Sequence, residues 1–129
     1  MSARQREIEN SILQVQRALQ AGRADQAVAI CDTAREDAPH HPMLLKLGAV
    51  AAFQFGDPKK AVSLLEMAVT RYPDDSEAHF NLGVVHQNSG MMEAALVSFT
   101  RSAELAPEAA AAHYNLSLIH ISEPTRPLH

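Results

Sequence analysis

A period of 34 residues constrains the fold of this chain more than any other feature of its sequence. Glycine, alanine and proline each recur at that spacing in three successive units: Gly22, Gly56 and Gly90; Ala27, Ala61 and Ala95; Pro39, Pro73 and Pro107. Self-similarity at a fixed period of about 20–50 residues is typical of arrays in which each unit is one supersecondary motif. Because one such unit cannot bury its apolar face alone, we expect neighbouring units to stack.

The third unit indicates what each repeat contains. Apolar residues at three- and four-residue steps predict one helix over about 76–89 and a second over about 92–105. Gly90, between them, suits a turn with positive φ, and Pro107 disfavours continuation of the second helix. The same pattern predicts that five residues of the second helix face inward: Ala95, Leu96, Phe99, Ser102 and Ala103.

Small residues and helix-start signals support the same interpretation in the other units. Ala27, Ala61 and Ala95 recur where two helices of a pair would cross, and a larger side chain there would push the axes apart. Asp57 followed by Pro58 predicts an N-cap and a proline in the first helical position. Helices of about 14 residues are only marginally stable alone in water, so their stability must come mainly from stacking.

The third unit, residues 76–109, closely resembles the tetratricopeptide repeat. The residues that carry the resemblance are the Leu82-Gly83 pair, the turn glycine Gly90, the crossing alanine Ala95, the aromatic Phe99 and the terminal proline Pro107. The second unit departs from this pattern because Gly48 falls one place early and Ala49 takes the small position. The resemblance implies an all-α fold, a right-handed superhelical stack of antiparallel helix pairs (an α-solenoid).

The period divides the chain into units. Residues 8–41, 42–75 and 76–109 are three repeats, residues 1–7 extend the first helix, and residues 110–115 begin a truncated fourth unit. The string LSLIHISEPTR at residues 116–126 resembles the conceptual translation of a transposon end with a sequencing-library adapter. We therefore interpret residues 116–129 as a non-native tail. The alternative is a short natural tail in which two prolines end a helix.

The resemblance also implies a binding face. First helices of such repeats line a concave groove that holds a partner protein as an extended peptide. By the family pattern, the groove residues of units two and three and of the fourth-unit fragment are Lys46, Val50, Phe53, Gln54, Glu77, Phe80, Asn81, Val84, Gln87, Asn88 and Asn115. Met43 joins them, and unit one contributes Glu9, Ile12, Gln16, Leu19 and Gln20.

Asn81 and Asn115 are one period apart, and side-chain amides can both donate to and accept from a peptide backbone. They resemble the asparagine ladder of O-linked N-acetylglucosamine transferases. The alternative is that asparagine is simply the consensus residue there and bonds neighbouring backbone. The carboxylate clamp that some relatives use for chaperone C-termini is not expected, because only Lys46 and Asn81 approach its residue set.

Other kinds of chemistry find little support in the sequence. A net charge of −4 without a basic run argues against nucleic acid, and no apolar stretch is long enough for a membrane span. We expect no catalytic, cofactor or metal site: His79 and His113 fit inter-helix slots, and Cys31 fits a core position. The carboxylates Asp74, Asp75 and Glu77 indicate a solvated helix start, where negative charge favours the helix dipole. The start of the sequence lacks an apolar signal core, so a cytoplasmic location is expected, and the single cysteine fits a reducing compartment.

Two functional hypotheses follow. The first is a non-enzymatic scaffold that presents its groove to a protein or extended peptide. The second is the N-terminal repeat segment of a truncated larger enzyme, of the glycosyltransferase, sulfotransferase or oxygenase type that the resemblance suggests. In either case the incomplete C-terminal repeat would leave an apolar face uncovered, so self-association through that end is also expected.

Overall fold

The computed structural model describes residues 2–109, and these form six α-helices. Their bounds are α1 (Ala3–Gln20), α2 (Ala24–Asp37), α3 (Pro42–Phe55), α4 (Pro58–Arg71), α5 (Ser76–Asn88) and α6 (Met92–Leu105). Each predicted repeat contributes one pair, and the predicted all-α solenoid is confirmed. Within residues 2–109 no helix is both long and apolar enough to cross a membrane. Asn115, His113, the fourth unit and the tail lie outside the described residues.

The helix ends fall where the sequence predicts them. Gly22, Gly56 and Gly90 have φ angles of 75°, 97° and 79°, a region in which glycine pays no side-chain penalty. Asp57 caps α4, with its carboxylate accepting the Lys60 backbone N–H at 3.1 Å, and Pro58 occupies the first turn. The chain therefore reverses between the two helices of each pair by local chemistry alone.

The core lies between the helices of each pair and between successive pairs. Ala27 and Ala61 are fully buried and Ala95 is 2% exposed, as their crossing positions require. Leu44, Leu45 and Leu65 fill the centre of this core, where each is fully buried. Two of the inward-facing predictions are wrong, since Leu96 is 66% exposed and Ala103 is also exposed. Both side chains lie on the surface of α6 that faces away from α5.

The reason for that error is that a stacked helix has two packing surfaces. One surface packs on the partner helix of the same pair, and the other packs on the next pair along the chain. Val62, one period before Leu96, is half-buried and packs against the core. An apolar residue at this position therefore packs at the interface between units. The 3.6-residue periodicity cannot distinguish such a residue from one that packs within its own unit.

The Leu82-Gly83 pair has a specific packing role. A Cβ atom on Gly83 would lie 2.7 Å from Cδ1 of Phe99, so the aromatic ring of α6 rests directly on the α5 backbone. Gly48, the residue that departs from the repeat pattern, is buried as well. Its added Cβ would come no closer than 3.3 Å, to the Cδ1 methyl of Leu64. Two different glycines thus allow close helix approach in two different units.

Candidate functional site

The packing of non-adjacent helices gives the molecule an inner and an outer side. Besides the pairs that adjoin in sequence, α1 packs on α3 and α3 packs on α5. Among the described residues, α2 and α4, and α4 and α6, make no comparable contact. The first helices are therefore drawn together while the second helices fan apart. This geometry makes the surface of α1, α3 and α5, here called the first-helix face, the inner side of the curve.

The predicted groove residues fall into two classes on this face. Exposed or half-buried side chains are Glu9, Ile12, Gln16, Gln20, Met43, Lys46, Phe53, Gln54, Glu77, Gln87 and Asn88. Buried side chains, none more than 6% exposed, are Leu19, Val50, Phe80, Asn81 and Val84. Members of the second class are buried within the helix stack. Whether any of these residues contacts a partner stays a prediction.

Phe80 illustrates why these residues are covered. Its ring packs against that of Phe99 on α6, with centroids 5.3 Å apart and planes tilted by 54°. Phe99 in turn lies against Gly83, so Phe80 helps to fix the α5–α6 pair. Asn81, which the sequence suggested as one rung of a ladder, is 5% exposed on the same helix.

Lys46 has its charge satisfied within the molecule. Its ammonium lies 3.0 Å from Oδ2 of Asp75 and 2.9 Å from Oε1 of Glu77, at the start of α5. Burial alone would lower the pKa of this ammonium, but the hydrogen bonds to Glu77 and Asp75 outweigh burial and raise it. Lys46 therefore ties α3 to α5 and does not present an open cation to a partner carboxylate.

Sequence reasoning missed this contact. Asp75 and Glu77 were interpreted as a solvated helix start, and Asp75 does cap α5, accepting the Ala78 backbone N–H at 3.1 Å. The partner across the helix interface is 31 residues away from Glu77, and no local pattern indicates it. The signal that could have found it is repeat position, since Lys46 lies in the second turn of α3 and Glu77 in the first turn of the next first helix, α5.

A ladder of exposed amides was also missed. Gln20, Gln54 and Asn88 are spaced by 34 residues, close to the ends of α1, α3 and α5, and all three are exposed. The Asn88 amide nitrogen donates to the Val84 carbonyl at 2.9 Å, which fixes the direction of its side chain. The period would have found this series, because each member was already predicted separately as a groove residue.

Histidine and cysteine serve the fold. The ring of His79 hydrogen-bonds the Pro73 carbonyl at 2.9 Å through Nε2, and His86 is buried on α5. Cys31 is 1% exposed, and burial, with a smaller contribution from Asp32, raises the pKa of its thiol to about 12. Such a thiol is a poor nucleophile at neutral pH. Within residues 2–109 no group of three His, Cys, Asp or Glu side chains could hold a metal ion.

Known proteins share both the sequence pattern and the fold. Superkiller complex protein 3 of Mus musculus is 37% identical over 105 residues, a match that covers 80% of this chain and 7% of that protein. The chain therefore spans a small fraction of that relative's length. A structure of an O-GlcNAc transferase mutant of Thermobaculum terrenum matches with a TM-score of 0.80 and 25% identity, over 92% of this chain and 23% of that one.

Two smaller proteins match in fold. The first TPR domain of human RPAP3 superimposes with a TM-score of 0.77 and 21% identity, over 87% of this chain and 88% of that one. MamA of Desulfovibrio magneticus superimposes with a TM-score of 0.73 and 21% identity, over 87% of this chain and 63% of that one. A family model described as the tetratricopeptide repeat matches residues 18–82, about half of the chain, and another of the same description matches residues 76–108. The chain therefore belongs to the tetratricopeptide repeat family.

Proposed function

We propose that the first-helix face of this chain binds an extended segment of a partner protein. Tetratricopeptide repeats generally form scaffolds for protein–protein interaction, and the repeat fold extends through the described residues. The inner side of a curved stack suits an elongated ligand, because side chains from successive units reach it at regular intervals. What we propose is which residues of this chain contact the partner and which part of the partner they bind.

The exposed amides of Gln20, Gln54 and Asn88 carry this proposal. They recur once per unit on successive first helices, so an extended chain lying across α1, α3 and α5 would meet one in each unit. Each amide can offer a donor to a backbone carbonyl and an acceptor to a backbone N–H. Affinity would then come from the ligand's main chain, and the ladder itself would impose little sequence preference.

The proposal can be tested with a selected peptide. Random 12-residue peptides displayed on phage would be panned against the chain, and a selected peptide titrated into isotope-labelled protein while NMR shifts are followed. We expect the shifts to concentrate on α1, α3 and α5. The double variant Gln20→Ala with Gln54→Ala should bind about tenfold more weakly, because two net hydrogen bonds contribute about 0.5–1.5 kcal/mol each.

The matched control is Gln26→Ala, which removes an exposed glutamine from α2, outside the first-helix face. It should leave the affinity unchanged. Shifts concentrated on α2, α4 and α6, or an equal loss in the control and the double variant, would overturn the assignment of the binding face.

A second candidate is that this chain is the repeat segment of a larger enzyme. The supporting observation is the likeness to the Thermobaculum terrenum O-GlcNAc transferase, of which this chain covers only 23%. In that case the first-helix face would deliver a protein substrate to a catalytic domain elsewhere in the parent. Sequencing of the intact gene beyond codon 115 distinguishes the two candidates, since an uninterrupted repeat array would remove the enzyme hypothesis. The cytoplasmic location stays a prediction.

We also propose self-association through the outer surface of α6. Met92, Leu96 and Val97 are 57%, 66% and 69% exposed and form an apolar strip on that helix. A second copy is the proposed occupant, because Val62, at the position equivalent to Leu96 one period earlier, packs against the core of this chain.

A further inference from the structure

A cavity opens at the edge of the first-helix face, where the start of α1 meets the start of α3. It has a volume of about 290 Å³, and the described residues that line it are Gln5, Ile8, Glu9 and His41. This volume lies at the lower limit of small-molecule sites, which are typically about 300–1,000 Å³. A cavity of this size suits one long side chain of a bound peptide rather than a cofactor.

The polar groups of the wall have defined hydrogen-bonding roles. His41 caps α3, and its Nδ1 accepts the Met43 backbone N–H at 3.2 Å. The neutral ring therefore carries its proton on Nε2, which is left as a donor. Gln5 uses its amide oxygen to accept the Ser2 backbone N–H at 2.9 Å, which leaves its amide nitrogen as a donor. Both residues can thus offer a proton to a carbonyl oxygen of a ligand.

The charge of the wall is negative. Glu9 makes no ion pair with any other described residue, whereas Asp75 and Glu77, farther along the same face, share Lys46. Arg6 lies one turn before Glu9 but is not among the described residues that line the cavity. Ile8 supplies an apolar surface between these polar groups. The cavity therefore combines one carboxylate, two donors and an aliphatic contact.

We propose that this cavity binds an arginine or lysine side chain of the partner segment, a specificity pocket that rests on the proposed function of the first-helix face. The aliphatic stem of that side chain packs on Ile8, and its cation pairs with Glu9. The backbone carbonyl of the same ligand residue accepts from His41 Nε2 or from the Gln5 amide. The cavity lies at the starts of α1 and α3, away from the amide ladder at their ends, and it selects for a basic residue at one position of the segment.

Two matched peptides test the proposal. One is a blocked pentapeptide with a central arginine flanked by alanines, and the other carries citrulline in place of arginine, which keeps the shape and removes the charge. Each would be titrated into labelled full-length chain, with the Met43 amide as reporter because its N–H donates to His41. We expect the arginine peptide to shift the amides of Ile8, Glu9 and Met43, and to bind about fivefold more tightly than the citrulline peptide.

Glu9→Gln should remove the preference for arginine over citrulline. Glu7→Gln is the matched control, because it makes the same charge change on an exposed position of the same helix that does not line the cavity. Equal affinity of the unsubstituted chain for the two peptides would overturn the proposed pocket assignment. An equal effect of Glu7→Gln and Glu9→Gln would overturn it as well. Shifts of the arginine peptide elsewhere on the first-helix face would also overturn it while leaving the proposed function intact.

Discussion

Gly83 sets the distance between α5 and α6, because its missing side chain leaves room for Phe99. An added Cβ would lie 2.7 Å from Cδ1 and 2.8 Å from Cε1 of that ring, and the ring cannot retreat without moving Phe80. We expect Gly83→Ala to lower the free energy of unfolding by about 1–3 kcal/mol, although alanine favours helix by about 1 kcal/mol. Urea-induced unfolding followed by circular dichroism measures this change.

Gly48→Ala is the control for that experiment. Its added Cβ would meet the Cδ1 methyl of Leu64 at 3.3 Å, the end of a side chain that can adjust. The gain in helix propensity should offset this contact and keep the change within about 0.5 kcal/mol. Equal losses in the two variants would show that the Gly83–Phe99 approach has no special role.

Cys31 makes stability depend on pH in the alkaline range. Its thiol has a pKa of about 12 in the folded protein and of 9.0 in the unfolded chain. The stabilisation from keeping the thiol protonated is complete below about pH 9 and is lost as the pH rises toward 12. In reducing buffer, the destabilisation caused by Cys31→Ala should therefore shrink by about 1 kcal/mol between pH 8 and pH 10. An unchanged difference between parent and variant would mean that the buried thiol ionises normally.

At the scale of elements, Asp75 connects two first helices. One carboxylate oxygen caps α5 through the Ala78 N–H, and the other pairs with Lys46 on α3. Asp75→Ala should cost about 1–2 kcal/mol, because it removes both the cap and the ion pair. Glu77→Ala should cost less than about 0.5 kcal/mol, since this half-exposed carboxylate contributes only to the pair. Chemical unfolding of both variants tests which substitution lowers the free energy of unfolding more. A larger decrease for Glu77→Ala than for Asp75→Ala would contradict the prediction.

The sequence predicts those helix boundaries that are determined by residues close to them in the chain. Helix ends at Gly56, Gly90 and Asp57 follow from one or two residues each, so the helix bounds could be predicted closely. Contacts between helices that are not adjacent in sequence could not, because they depend on the curvature of the stack. The ion pair of Lys46 with Asp75 and Glu77 was missed for this reason. Phe80 and Asn81 were assigned to the groove on repeat position alone; both are buried, and whether either contacts a partner stays a prediction.

At the scale of the whole molecule, curvature determines which surfaces a partner can reach. Successive first helices contact one another, whereas successive second helices make no comparable contacts within the described region. The helices are therefore closer together on the inner side of the stack than on the outer side. The inner side carries the amides of Gln20, Gln54 and Asn88 at intervals of one repeat. The outer surface of α6 instead carries exposed Met92, Leu96 and Val97. Apolar exposure of this kind favours association of like surfaces or of stacked units.

Substitution of Leu96 tests whether that strip associates. We expect the average mass of the parent chain in sedimentation or light scattering to rise with protein concentration, and Leu96→Glu to remain monomeric because a charge would be buried in the contact. Ser63→Glu is the control, since Ser63 lies one period before Val97 on the exposed surface of α4. It should associate as the parent does. A parent that stays monomeric at every concentration, or a control that dissociates like Leu96→Glu, would exclude this strip as the contact between copies.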